Sequence, residues 1–200
     1  MASHLASLAS TALAKAATQP DDVAGPSYAA SEVAVRNSMF VKTYPTLVGE
    51  KGKLHLMPRR GIAIICCMDA RLDPNAMLGL EVGDAHIIRN GGGRAVDALR
   101  SLLGSQELLQ TREIIVIHHE DCGFSHASTT VLQKALKARV PAHHHPVIDS
   151  LSAMEFKDPK ESVQQDVEYL RENPLIHPES KDKISGWYYS VKTGELLRVC

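Results

Sequence analysis

Cys67, His119 and Cys122 are the residues of this chain best suited to chemistry. Each follows an apolar run: Gly61-Ile-Ala-Ile-Ile-Cys-Cys67 delivers one thiol, and Glu113-Ile-Ile-Val-Ile-His-His119 followed by Glu-Asp-Cys122 delivers an imidazole and a second thiol. Two buried strands would bring all three to the same sheet edge. Structural zinc sites are usually closed by four Cys or His ligands, whereas catalytic sites keep one position for water. Three ligands from the chain therefore predict an open, catalytic zinc site, with one Zn2+ per chain.

Two anionic sulfurs neutralise much of the charge of a zinc ion, so such a metal needs help from its neighbours. Cys67-Met-Asp69-Ala-Arg71 offers it. Asp69 can accept a hydrogen bond from zinc-bound hydroxide, and Arg71 can keep that carboxylate ionised through a bidentate pair. The same Asp69 could instead take the fourth position on the metal and switch the site off. Cys66, one step out of phase with Cys67, should face the opposite side of its strand. His118 reads as a packed neighbour of His119, and Asp121 as a solvated turn residue. His143, His144 and His145 stand in a polar, proline-bounded loop, Ala142 to Pro146, where consecutive residues do not converge on one ion.

The elements that must position these residues alternate. Residues 61 to 68, 85 to 89 and 113 to 119 are short β-branched runs of the buried-strand type, each followed by a helix. Asp73-Pro74 is a helix N-cap with proline at the first helical position, Ala95 to Leu109 carries a leucine stripe, and Asp158-Pro159 opens a helix that stops before Asn173-Pro174. This pattern predicts an α/β fold with a mainly parallel sheet flanked by helices. Gly186 to Val191, a Lys-Thr-Gly turn and Glu195 to Val199 read as a C-terminal edge hairpin.

With 200 residues, 44% hydrophobic content and a formal charge of −1, the chain fits one domain and gives no reason to expect nucleic acid or a membrane surface as partner. No stretch reaches the apolar length needed to cross a bilayer. Four cysteines, two of them adjacent, do not make a disulfide framework, and thiols that bind metal must stay reduced, which predicts a cytoplasmic protein. The first thirty residues are rich in Ala and Ser and place Leu5, Leu8, Ala12, Leu13 and Ala16 at helical spacing. Their lack of acidic residues before Asp21 suits a mitochondrial transit peptide, but the absence of Arg before Arg36 weighs against one. An N-terminal arm and linker over 1–30, containing Gln19 to Pro26, and a single domain over 31–200 are the expected organisation.

Three segments together resemble the β-class carbonic anhydrases: Cys-x-Asp-x-Arg at 67–71, Gly-Asp-Ala-His-Ile-Ile-Arg-Asn-Gly-Gly at 83–92 and His-x-x-Cys at 119–122. The resemblance runs from about Ile62 to Gly123, and Gly-Trp-Tyr-Tyr-x-Val-x-Thr-Gly at 186–194 is similar to the end of the small, single-domain members. It implies a zinc enzyme that hydrates carbon dioxide, with Cys67, His119 and Cys122 on the metal and Asp69 and Arg71 as the orienting dyad. It also implies a homodimer or larger assembly with the active site at the subunit interface. The same branch includes enzymes that hydrolyse carbonyl sulfide or carbon disulfide, which present the same linear, electrophilic carbon. Asn90, Gly91 and Gly92 are the expected substrate-binding residues, beside the apolar Phe124. Here the chain departs from the family's usual Arg-Asn-Ala-Gly, because Gly91 replaces the alanine and adds backbone freedom near the substrate.

Other chemistries fit less well. A nucleotide-binding glycine loop at 91–93 lacks the third glycine, Val96 standing in its place, and no Gly-Lys-Ser/Thr follows. The Gly-x-Ser-x-Gly elbow of serine hydrolases is missing. A non-catalytic zinc protein on the same scaffold is argued against by the open metal position beside a complete Asp69-Arg71 pair.

Overall fold

The structure, a computed structural model, describes residues 30–48 and 54–200. The chain divides into two units, Met1–Leu54 and His55–Cys200. In the first, helix α1 spans Ala30–Val48, with Val35, Met39 and Val41 exposed. The expected helical stripe from Leu5 to Ala16 and the linker at 19–26 lie outside the described residues.

The second unit holds a five-stranded sheet in the order β2-β1-β3-β4-β5, formed by β1 (Ile62–Cys67), β2 (Ala85–Asn90), β3 (Glu113–His119), β4 (Ile184–Tyr189) and β5 (Leu196–Arg198). The first four strands are mutually parallel and β5 returns antiparallel to β4. β1 lies between β2 and β3, which explains its unbroken apolar sequence: a strand covered on both faces has no polar side to show. Ala63, Ile64, Ile65 and Cys66 are all fully buried.

On one face Ala63, Ile65, Ile114 and Val116 pack with Ala98 and Leu102 of α3 (Ala95–Glu107) and with Val163, Val167 and Leu170 of α7 (Pro159–Glu172). On the other, Ile64, Cys66 and Ile117 meet Met77 and Leu78 of the short α2 (Pro74–Leu78) and Trp187. Cys66 thus faces away from Cys67, as strand alternation requires.

Helix ends follow local chemistry. Asp73 accepts from Asn75 N at 3.1 Å and Ala76 N at 3.2 Å, and Gly79 closes α2 in the left-handed conformation at φ 61°. Asp158 caps α7 in the same manner, accepting from Lys160 N at 2.8 Å and Glu161 N at 2.9 Å. The C-terminal pair is the hairpin expected, but only β5 is at the sheet edge, because β4 also pairs with β3. The histidine tract is not a loop. After α4 (Gly123–His126) and α5 (Thr129–Lys137), residues Ala142–His144 form a 3-10 turn that runs into α6, His145–Asp149, with Pro146 in its first turn. Proline there sits where no intrahelical N–H is needed, so it starts the helix rather than ending it.

Candidate metal centre

Parallel strands of equal register deliver their last residues to one end of the sheet. Cys67 ends β1, opposite Asn90 at the end of β2, and His119 ends β3, opposite Tyr189. Cys122 follows after a tight turn in which Asp121 takes a positive φ of 51°. The three ligand atoms lie within 4.8 Å of one another, and no other grouping of three potential metal-binding side chains is found among the described residues. Cys67 is 2% exposed, and His119 and Cys122 are fully buried.

The cluster fits a tetrahedral metal. The two sulfurs are 3.8 Å apart. Zinc–sulfur bonds of about 2.3 Å at a tetrahedral angle would place them at about 3.8 Å. His119 Nδ1 lies 2.8 Å from the Glu120 carbonyl oxygen. That oxygen can only accept, so Nδ1 carries the proton and Nε2 offers a bare lone pair. Nε2 is buried with no hydrogen-bond partner, an orphan that a metal ion would satisfy. The thiols point the same way. The neighbouring Cys122 sulfur first, then the His119 imidazole and the backbone of Asp69 and Gly92, pull the Cys67 thiol below its ordinary range against its burial, while the same sulfur pair and burial push Cys122 up. Cys66, by contrast, is pushed up to about 11 by burial, as an inert core thiol should be.

Asp69 and Arg71 stand beside the cluster. Arg71 Nε donates to Asp69 Oδ1 at 2.9 Å and Nη2 to Oδ2 at 2.8 Å, a bidentate fork, and the Arg71 amide adds a third bond to Oδ1 at 2.9 Å. These bonds, the side-chain ones first, hold the Asp69 carboxyl down at about 2. Asp69 Oδ2 is 3.9 Å from His119 Nε2, close enough to address whatever occupies the fourth position.

Two partners of this dyad are not evident in the sequence. Asp121 is not merely a solvated turn residue: its Oδ2 accepts from Arg71 Nη1 at 2.9 Å and its carbonyl from Nη2 at 2.8 Å. Arg89 donates to the Cys67 carbonyl at 3.1 Å and to the Asp69 carbonyl at 2.6 Å, fixing the backbone that carries ligand and dyad. The position of Asp121 between His119 and Cys122 was the available signal for its role.

The glycine segment forms a 3-10 turn, Gly91–Gly93, with Gly92 at φ 77° and Gly93 at φ 71°. A Cβ on Gly93 would come within 2.9 Å of Cys67 N, so glycine is required for close approach as well as for conformation. A methyl at Gly91 would run into the Phe124 ring. The Asn90 amide is engaged at both ends: Nδ2 donates to the Arg94 carbonyl at 2.9 Å and Oδ1 accepts from Arg94 N at 2.8 Å. His118 is fully buried and stacked on Phe156, outside the ligand cluster.

Residues 62–196 match the family model described as carbonic anhydrase. β-Carbonic anhydrase 1 of Mycobacterium tuberculosis is 38% identical over 152 residues, covering 76% of this chain and 89% of that protein. A carbon disulfide hydrolase of Acidithiobacillus thiooxidans is 35% identical, covering 68% of this chain and 76% of its own. Among solved structures, a carbonic anhydrase from Glaciozyma antarctica superposes with a TM-score of 0.80 at 48% identity, covering 87% of this chain and 99% of that one.

Proposed function

The chain belongs to the β-class carbonic anhydrase family, and from that premise we propose that it is a zinc enzyme that hydrates carbon dioxide reversibly to bicarbonate. The observation that carries this reading is the buried Cys67–His119–Cys122 cluster, its His119 Nε2 unpartnered and faced by an ionised Asp69. Cys67, His119 and Cys122 would hold the metal. Zinc, when bound, supplies a Lewis acid that makes water a nucleophile near neutral pH.

The chain's own residues do the rest. Asp69, pinned by Arg71, accepts a hydrogen bond from the attacking water at Oδ2 and so aims its lone pair at the substrate carbon. Ionisation far below neutral keeps that acceptor available at any working pH. Arg71 holds Asp69 by its fork and would keep it off a bound metal, and Asp121 anchors Arg71 in turn. Leu72, Phe124 and Phe156 pack against the ligand cysteines and make this end of the sheet apolar, which suits an uncharged linear substrate. Gly91 and Gly92 border the substrate with backbone alone, and Asn90 holds their turn in shape.

A second reading is hydrolysis of carbonyl sulfide to hydrogen sulfide and carbon dioxide at the same site. It is favoured by the 35% identity to a carbon disulfide hydrolase. Side-by-side rates of the zinc protein on the two substrates test the choice. Discrimination by one poorly fitted atom is worth about 10- to 200-fold, which such a comparison reads easily. Carbon dioxide should win; efficient carbonyl sulfide turnover with hydration at the buffer background would reverse the assignment.

A further inference from the structure

Behind the glycine turn lies a buried polar cluster that does not reach the ligand atoms. The Asp166 side chain, on α7, is 2% exposed. It accepts from Arg94 Nη2 at 2.8 Å, from Arg94 Nε at 3.1 Å and from the Ala95 amide at 2.8 Å. Arg94 Nη1 donates to the Met154 carbonyl at 2.9 Å. His118 Nε2 is 3.1 Å from the Gly93 carbonyl and 3.4 Å from Asp166 Oδ2. Both of those oxygens are acceptors, so Nε2 carries the proton and ties the turn to the ion pair. Phe156 seals the cluster, its ring centroid 5.4 Å from that of His118 and 5.8 Å from the Arg94 guanidinium carbon.

A buried ion pair is weak evidence for stability, since an apolar pair of similar volume is often as good. Its reason must be sought in what it holds. Arg94 and Asp166 are 72 residues apart, and between them they fix the turn, α7 and the Met154 backbone. The held turn is the one whose Gly93 backs directly onto Cys67 N.

We propose that Arg94, Asp166 and His118 are positioning residues for the metal centre, clamping the Gly91–Gly93 turn against Cys67 and thereby fixing where that sulfur points. The inference rests on reading Cys67, His119 and Cys122 as metal ligands. A cross-link that merely stabilised the fold would be dispensable once stability was restored by other means.

The test uses the full chain, loaded with zinc and, separately, with cobalt. Asp166→Asn removes the charge, and the double variant Arg94→Met/Asp166→Leu replaces the ion pair by apolar packing. Zinc loss to a chelator, the sulfur-to-cobalt charge-transfer band and the melting temperature of the metal-free protein are measured together. A direct hydrogen-bond partner of a metal ligand is worth about 10- to 100-fold in affinity, and the clamp, one step further out, should cost a measurable part of that. That loss, with a displaced cobalt band, is expected in both variants, including a double variant whose metal-free melting temperature matches wild type. Wild-type zinc retention and cobalt spectrum in a double variant of wild-type stability overturn the clamp. If the double variant does not fold, Arg94→Lys, which keeps the charge but loses the fork, decides: faster zinc loss supports the clamp and unchanged loss overturns it. A wild-type chain that takes up no zinc overturns the metal reading itself, whereas normal wild-type uptake with unchanged variants overturns the clamp alone.

Discussion

Among single residues, Asp69 has the most to do: it is held by Arg71 and faces His119 Nε2. Asp69→Asn keeps the shape but presents an amide that cannot both receive Arg71 and accept from water, so zinc content should hold while kcat falls. Removal of one well-placed electrostatic partner costs about 10²–10³-fold. Arg71→Ala should lose a similar factor and free Asp69 to approach the metal. Turnover near wild type in Asp69→Asn would show that the attacking water is oriented from elsewhere. The ionisation of Asp69 has a consequence for pH as well. A carboxyl whose folded pKa is depressed to about 2 adds stability that is complete above its unfolded value, about 3.9, and disappears as pH falls toward 2. Denaturant melts of the metal-free protein should therefore show the gap between wild type and Asp69→Asn narrowing over that window; a gap that stays constant from pH 5 to pH 2 would contradict it. At this scale the Cys67–His119–Cys122 grouping and the Asp69–Arg71 pair were legible because Cys67 to Arg71 and His119 to Cys122 are local patterns. Asp121 and Arg89 were not, since their bonds to Arg71 and Asp69 span 50 and 20 residues of chain.

Among the elements, the parallel strands do the delivering and the glycine turn does the fitting. Gly93→Ala combines a positive φ of 71° with a Cβ 2.9 Å from Cys67 N, and backbone atoms cannot move aside as a side chain would. The expected cost is about 1–3 kcal/mol of stability, together with weakened zinc binding. Thermal melts with and without zinc read both; an unperturbed Gly93→Ala would mean that the turn and Cys67 are not in contact. Asp158→Ala removes the acceptor for Lys160 N and Glu161 N at the start of α7 and should cost about 1 kcal/mol of stability, read in the same melts. Strands β1 and β3 could be read from sequence because a strand covered on both faces is apolar throughout. The segment 142–149 could not, because a five-residue helix is too short to show a 3.6-residue period, and consecutive histidines resemble a solvated loop.

The whole molecule leaves surface that one copy does not cover. β2 lies at the sheet edge. Val35, Met39 and Val41 of α1 are 62%, 63% and 59% exposed. Val35 and Met39 stand one turn apart on the same side of α1, and an open strand edge and exposed apolar helix residues are features proteins normally cover. They lead us to predict a dimer or larger at micromolar concentration, and a chain lacking residues 1–54 should assemble less well. Sedimentation that finds an active monomer would remove the subunit interface from the account. Motifs alone do not locate an interface of this kind, because pairing depends on surfaces that only the folded unit brings together.

If the Cys67–His119–Cys122 cluster holds a zinc ion that serves carbon dioxide hydration, the stopped-flow hydration rate of purified protein should follow the metal as zinc is removed by chelator and returned, with Cys67→Ala alongside. Hydration should stand far above the buffer background, rise to a plateau at one zinc per chain, disappear with the metal and be absent from Cys67→Ala. A fully zinc-loaded wild-type protein at background, or a Cys67→Ala variant with full zinc and full activity, would contradict it.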